Sequence, residues 1–355
     1  MSRLNKLHLL QYVCTASGKA KALIRFVYSG SFFAILRGAN MYEEIISALT
    51  NAEKIGIFTH VNPDGDAMGS SYSLKLALRN IGKCAEVFLA PEPDAAPMSI
   101  VIGLEEKMLP IEQCDLLVAL DCADSKRLGM YQDIFLNHPN TIAIDHHVTH
   151  QPYAKNWIMR DLSSTCELMT ELYEEMGTEI TRDIANNLYI GLSSDTGNFK
   201  YSCVTGDTLG AAAKLISTGI DFAAISKRLF DTKRREYYDL MKIALDRLEF
   251  YEDGKVCVLY LEQEDFVRSD IKESEATGIV TLPSSIECVM VGVYIRKRDD
   301  GECKVSLRSV DVIDVAKIAV KLGGGGHMRA SGFSAFDKTA REITEMVIAE
   351  VKKQM

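Results

Sequence analysis

Six residues of this chain are of the types that hold divalent cations: His60, Asp64, Asp66, Asp121, His146 and Asp195. Three of them fall in His60-Val-Asn-Pro-Asp64-Gly-Asp66, where Pro63 and Gly65 bend the chain so that both carboxylates can turn inward. Carboxylate oxygens with imidazole suit manganese, magnesium or zinc. Taken singly, these residues also read blandly: Pro-Asp-Gly-Asp is a common surface turn, and Asp121 and Asp195 could merely cap or turn. Asp145-His146-His147 is sharper, because two adjacent histidines after an aspartate are hard to explain by packing. One ring can ligate a metal while the carboxylate orients a ring from behind. Carboxylates crowded about 4 Å apart repel by on the order of 4 kcal/mol per pair at an effective dielectric near 20. Cations relieve that repulsion; a purely structural role does not.

The elements around these residues explain how they could meet. Residues 41–54 read as an amphipathic helix, followed by a short apolar strand, IGIFTH, that ends on His60. A turn-rich stretch becomes a helix with apolar spacing from Met68 to Leu78, and further strands are AEVFLA (85–90), DLLVALD (115–121) and TIAIDHH (141–147). Strands alternating with helices predict an α/β fold with a doubly wound parallel sheet. Polar ligands bind at the carboxyl ends of such strands, which is where His60, Asp121 and Asp145 sit. Helices over 163–177 and 182–199 close this domain, with Asp195 near the end of the second.

The expected domains are 41–220, a helical linker over 221–250, and a smaller α/β domain over 251–355. The last contains strand-like runs (KVCVLYL, ECVMVGVYIRKR, CKVSLRS), a helix, the run GGGGH and a final helix over 338–353. Residues 1–40 hold six Lys or Arg and no acid. They read as a basic extension, either a targeting segment or the product of an upstream start, with the functional protein beginning near Met41.

The net charge of −9 argues against a long electrostatic track on duplex nucleic acid, though not against a small phosphorylated ligand. RKR (296–298) and KRR (233–235) read as solvated charge. Nine dispersed cysteines without a CxxC pair predict reduced thiols and a cytoplasmic protein. With no apolar run of membrane-spanning length, no membrane association is expected.

HVNPDGDAMGSS, VALDCAD, DHH and SSDTGNF resemble, in order and spacing, the four motifs of the DHH phosphoesterase superfamily. GGGGHMRASG resembles the signature of the DHH-associated C-terminal domain, departing from the frequent AAG-type ending at Arg329. The set is most similar to the nanoRNase/pAp-phosphatase branch, and it covers nearly everything from Met41 onward. The resemblance implies an active site in the cleft between the two domains, with two manganese ions (magnesium or another divalent ion as the alternative). His60, Asp64 and Asp121 would hold one ion. Asp66, Asp121, His146 and Asp195 would hold the other, with Asp121 bridging. Asp145 would support His146 from behind, and His147 would face the substrate phosphate. Water activated by the ions would attack phosphorus in line.

The second domain would supply recognition, with Gly324, Gly325 and Gly326 letting backbone N–H groups approach a phosphate. Arg308, His327 and Arg329 would contact a terminal phosphate or sugar. Implied substrates are short single-stranded RNA or DNA oligonucleotides and 3′-phosphoadenosine 5′-phosphate. A linear or cyclic dinucleotide phosphodiesterase is the alternative, and an inorganic pyrophosphatase a more distant one. A homodimer is expected on family grounds.

Overall fold

The computed structural model describes residues 42–89, 95–105, 109–276, 278–310 and 312–355; the basic extension 1–40 lies outside the described residues. Residues 42–51 form helix α1, which buries Ile45 and Leu49 on one face, four residues apart. Five strands follow: β1 (Lys54–Phe58), β2 (Cys84–Phe88), β3 (Leu116–Leu120), β4 (Thr141–Asp145) and β5 (Asn156–Met159). They form one sheet in the order β2-β1-β3-β4-β5, and every pair is parallel. The expected doubly wound sheet is therefore the fold of this domain.

Its central strands read as unbroken apolar runs because both of their faces are covered. Val118 and Leu120 pack with Ile55 and Ile57 on one side, while Leu117 and Ala119 join Phe58, Leu128 and Phe135 on the other. β5 has no such run, since of its four residues only Ile158 is fully buried; it is an edge strand, and the sequence pattern did not announce it.

Helices α2 (Gly65–Asn80), α3 (Thr165–Met176) and α4 (Arg182–Asp195) are capped by the side chains of Asp64, Ser164 and Thr181 respectively. α2 and α4 approach through glycine. A Cβ on Gly65 would collide with the hydroxyl of Ser194, and one on Gly69 with the carbonyl oxygen of Asn187. That contact brings the start of α2, with Asp64 and Asp66, against the end of α4, with Asp195.

The stretch expected as a linker divides between two cores. Ile220, Ile225 and Leu229 belong to the first core, together with Leu215 of α5 (Gly206–Ser217). Tyr237, Leu240 and Ala244 of α6 (Arg235–Asp246) pack instead on Leu259, Leu261 and Phe266 of the second domain. Residues 231–234 lie between the two.

The second sheet comprises β6 (Leu248–Tyr251), β7 (Val256–Glu262), β8 (Val291–Lys297), β9 (Glu302–Ser309), β10 (Gly325–His327) and β11 (Ala330–Phe336). Its order is β10-β11-β9-β8-β7-β6, antiparallel except for β7 with β8. One face carries Val293, Ile295, Val305 and Leu307 and is covered by α7 (Val315–Lys321) and α8 (Ala340–Val351), through Ile318, Ile343 and Val347.

The glycine run is not a loop. Gly325–His327 pairs with Ala330–Gly332, and a Cβ on Gly324 or Gly326 would strike the neighbouring backbone of β11. Close strand packing thus requires glycine at these two positions whether or not a phosphate is present. Among the described residues, no single helix is long and apolar enough to cross a membrane.

Candidate metal centre

The residues picked out by type converge at the carboxyl end of the first sheet. His60 follows β1, Asp121 follows β3, and His146 follows β4. Asp121 adopts a left-handed conformation with φ of +56°, which turns its side chain out of strand direction; non-glycine residues occupy that region at a cost. Thr165 at the start of α3 donates to Asp121 Oδ1 at 3.1 Å. Sequence reasoning did not find Thr165, because only the fold brings it to Asp121, from 44 residues away.

The imidazoles decide what the centre can hold. His60 Nδ1 lies 2.8 Å from the carbonyl oxygen of Val61, and His146 Nδ1 lies 3.1 Å from that of Leu162. A carbonyl only accepts, so in both rings the proton sits on Nδ1 and Nε2 presents a lone pair. His60 Nε2 lies 3.5 Å from Asp121 Oδ2, and His146 Nε2 lies 3.5 Å from Asp121 Oδ1 and 3.3 Å from Asp195 Oδ2. His146 Nε2 is buried with no hydrogen-bond partner. Lone pairs facing carboxylate oxygens need a positive charge between them, either a second ring proton or a cation. Burial alone would lower the basicity of His146; Asp195, Asp66 and Asp121 outweigh it and push the ring up to about 10.

The carboxylates show the same demand. Asp66 is fully buried, and its oxygens accept the backbone N–H groups of Thr165 (2.7 Å) and Cys166 (2.9 Å) at the positive end of α3. Burial, with Asp121 and Asp195 adding to it, still pushes Asp66 well above the usual carboxylate range. Asp64, which spends Oδ1 on capping α2, is raised by burial and by Asp121. Burial, with Asp121 and Asp64 adding to it, brings Asp195 up to about 6 against the opposing bond to His146. Of these four carboxylates Asp121 alone is held low, because His60 and His146 outweigh its burial. Among the described residues, donor atoms within 4.8 Å of one another occur in three groups: His60, Asp64 and Asp121; Asp66, His146 and Asp195; and Asp121, His146 and His147. This donor set, hard oxygens with imidazole around a shared carboxylate, fits divalent cations.

One expected detail is corrected. Asp145 does not back the ring of His146, which Leu162 orients. Its Oδ1 accepts the backbone N–H of His146 at 2.9 Å and Nδ1 of His147 at 2.8 Å, and its Oδ2 accepts Nδ1 of His150 at 2.7 Å. Burial would raise Asp145, but these two rings hold its carboxyl below the usual range. A bond to Asp145 outweighs burial to raise His147 as well. His150 was missed although it lies only five residues beyond Asp145; nothing in VTH marked it.

The two halves of the chain match known families. The DHH family, N-terminal domain, matches residues 54–192, and the DHHA1 domain matches residues 253–353. A bifunctional oligoribonuclease and PAP phosphatase NrnA from Thermus thermophilus is 32% identical over 306 residues, which is 85% of this chain and 90% of that protein. The chain belongs to the DHH family. The crystal structure of an exopolyphosphatase-related protein from Bacteroides fragilis superposes with a TM-score of 0.79 at 29% identity, covering 89% of this chain and 96% of that one. A cyclic-di-AMP phosphodiesterase PdeA from Listeria monocytogenes is 25% identical over 328 residues, 86% of this chain but 47% of that protein.

In this DHH chain a cavity of about 560 Å³ opens from the metal centre toward the second domain. Asp64, Gly65, Ser194 and Asp195 border it on one side, and Arg228, Lys233, Arg234 and Tyr237 on the other. Two basic runs read as solvated charge are therefore misjudged in part. Lys233 and Arg234 line the cavity, and Arg234 is paired with Glu275 at 3.0 Å. Arg296 is buried, stacked 4.1 Å from the centre of the Phe266 ring.

Arg308, Gly324, Gly325, Gly326, His327 and Arg329 do not border that cavity. They lie at the far edge of the second sheet, where His327 opposes Ala330 and Ala330 opposes Arg308. His327 and Arg308 thus share one cross-strand row and one face, roughly 10 Å apart at two strand spacings. Arg308 has no anionic partner among the described residues, and burial lowers its basicity. Arg329 donates to the carbonyl oxygen of Ile313 at 3.3 Å.

Proposed function

We propose that this chain is a metal-dependent phosphoesterase that hydrolyses short oligoribonucleotides to nucleoside monophosphates and dephosphorylates 3′-phosphoadenosine 5′-phosphate. The observation that carries the metal-dependent reading is Asp121 set between two inward-facing Nε2 atoms, those of His60 and His146, at 3.5 Å from each. The substrate class rests on the Thermus relative, whose name is that of an oligoribonuclease and PAP phosphatase.

In this reading His60, Asp64 and Asp121 hold one ion, and Asp66, Asp121, His146 and Asp195 the other, manganese being the expected metal. When bound, the ions supply Lewis acidity and the charge that phosphoryl transfer requires. His147, its Nδ1 committed to Asp145, turns Nε2 toward a phosphate oxygen. Arg308 and His327, in one row of the second sheet, bind the sugar or terminal phosphate. Residues 41–220 act as the catalytic unit, 221–250 as the connection and 251–355 as the recognition unit. The dispersed thiols support a cytoplasmic location, and a homodimer is the assembly to test.

The name of the Listeria relative favours one second reading, a linear or cyclic dinucleotide phosphodiesterase. Purified protein with manganese should be offered 3′-phosphoadenosine 5′-phosphate, a dinucleotide, a cyclic dinucleotide, pyrophosphate and a long RNA. Turnover of the first two is expected. Turnover of the cyclic dinucleotide alone selects the second reading, and equal turnover of long RNA overturns the first.

A further inference from the structure

We propose that His150 is a positioning residue that, through Asp145, holds the His147 ring in the orientation and tautomer with which it meets the substrate. The inference deepens the phosphoesterase reading, on which the role of His147 rests, whereas the geometry of His150 does not depend on it.

Asp145 is held unevenly. Its Oδ1 accepts three donors: the backbone N–H of His146 at 2.9 Å, that of His147 at 3.4 Å, and Nδ1 of His147 at 2.8 Å. Among the described residues, the only hydrogen bond to Oδ2 comes from Nδ1 of His150, at 2.7 Å. A carboxylate loaded on one oxygen and bare on the other rotates to share its donors. The bond from His150 opposes that rotation, and so preserves the bond that fixes His147. The His147 side chain is about one-third exposed, and its ring lies against that of His146, 4.4 Å between centroids and tilted by 56°.

His150, by contrast, is immobilised. Its side chain is fully buried, its ring stacks 5.5 Å from that of Trp157 at 28°, and Tyr153 lies 5.5 Å away on another side. Its backbone N–H donates to the carbonyl oxygen of His147 at 3.0 Å, closing the turn between the two rings.

A second observation separates this from simple packing. His150 Nε2 is buried without a hydrogen-bond partner, an arrangement that proteins avoid. Phenylalanine would fill the same slot between Trp157 and Tyr153 with no orphaned nitrogen. What imidazole adds at this position is the Nδ1–H donor to Asp145. The bond to Asp145 puts the His147 proton on Nδ1 as well, which leaves Nε2 as the outward-facing atom.

The test compares His150→Phe, which keeps the stack and removes the donor, with His150→Asn, whose amide can donate from near the Nδ1 position. The tautomer of His147 is read by ¹⁵N–¹H multiple-bond NMR on the metal-free protein, and kcat and KM are measured on 3′-phosphoadenosine 5′-phosphate with manganese. Wild-type His147 should carry its proton on Nδ1. His150→Phe should lose that single tautomer and drop kcat by about 10–100-fold, the usual scale for removing an outer-sphere partner. KM should stay within about twofold. His150→Asn should restore both readouts.

A folded His150→Phe with unchanged His147 tautomer and kcat overturns the proposal, as does His150→Asn failing like His150→Phe. If His150→Phe does not fold, His150→Asn alone decides, since loss of the His147 tautomer in that variant refutes the donor argument. Absence of turnover in the wild type would count against the phosphoesterase reading only, leaving the tautomer comparison to decide the role of His150.

Discussion

Gly191 of α4 lies so close to Asp66 that a Cβ on the glycine would come within 2.6 Å of the aspartate's Oδ1. That oxygen accepts the N–H of Cys166, and the same Cβ would also strike the Cys166 sulfur. Gly191→Ala should therefore wedge α4 away from both α2 and α3. Overpacking of this kind costs about 1–3 kcal/mol, and it displaces a carboxylate that the metal centre needs. The expected outcome is a lower denaturation midpoint together with weaker cation binding, measured by urea unfolding and by metal titration. Wild-type values in both would show that the helices separate without cost.

Asp121 combines a strained backbone with a shared carboxylate, so two substitutions separate these roles. Asp121→Ala and Asp121→Gly should both abolish turnover, because each removes the group placed between His60 and His146. Their stabilities should differ. Glycine tolerates φ of +56° and alanine does not, a difference of about 1 kcal/mol in favour of glycine. Guanidinium unfolding of the two metal-free variants measures it. A less stable glycine variant would mean that the left-handed backbone at Asp121 carries no strain.

These two cases also show what could be read before the fold was known. His60, Asp121 and His146 were legible because apolar strand runs end just before them, and strand ends of a parallel sheet converge by construction. Asp64 and Asp66 were legible through the Pro-Asp-Gly turn that starts α2. The division of labour within Asp145-His146-His147 was not, since it depends on which oxygen each ring meets and on Leu162, sixteen residues downstream of His146. Nor was the tight packing behind the glycines at 65, 69 and 191, because a short helix–helix distance leaves no periodic trace. The run at 233–235 was misjudged because charge density in sequence says nothing of whether a connection faces a cavity.

Protons compete with cations at the His146–Asp195 pair, and the sign of that competition can be worked out. His146 is raised to about 10, above its unfolded value near 6.5, by neighbouring carboxylates that outweigh its burial. Its contribution to the stability of the metal-free protein is fully present below pH 6.5 and is lost as pH rises through about 10. A divalent cation takes the place of that proton, so binding at pH 7 releases it. Affinity should rise with pH, by about tenfold per unit for each proton displaced. The slope should be steepest below about pH 6, where Asp195 also still holds a proton, and should flatten toward pH 10. Manganese titrations across this range, in buffers of different ionisation heat, report both affinity and proton release. An affinity independent of pH would exclude His146 as a ligand.

The two cationic regions call for opposite kinetic signatures. Arg308 has no anionic partner among the described residues and shares a row with His327; in the proposed reading it would grip the part of the substrate common to all short ligands. Arg308→Ala should raise KM roughly tenfold for 3′-phosphoadenosine 5′-phosphate and dinucleotides alike, the scale of one charge-assisted hydrogen bond, with a smaller effect on kcat. Lys233 lines the cavity that Asp64 and Asp195 also border, so a ligand extending past the scissile phosphate into that cavity would meet it. Lys233→Ala should leave the bisphosphate KM unchanged and raise that of the longer oligonucleotide by about threefold or more, the modest gain of one half-buried, solvent-screened cation near a phosphate. Steady-state kinetics on both substrates separates the two positions. An equal effect of Lys233→Ala on both would place the cavity on the path of every substrate, and no effect on either would leave Arg308 and its row as the recognition surface.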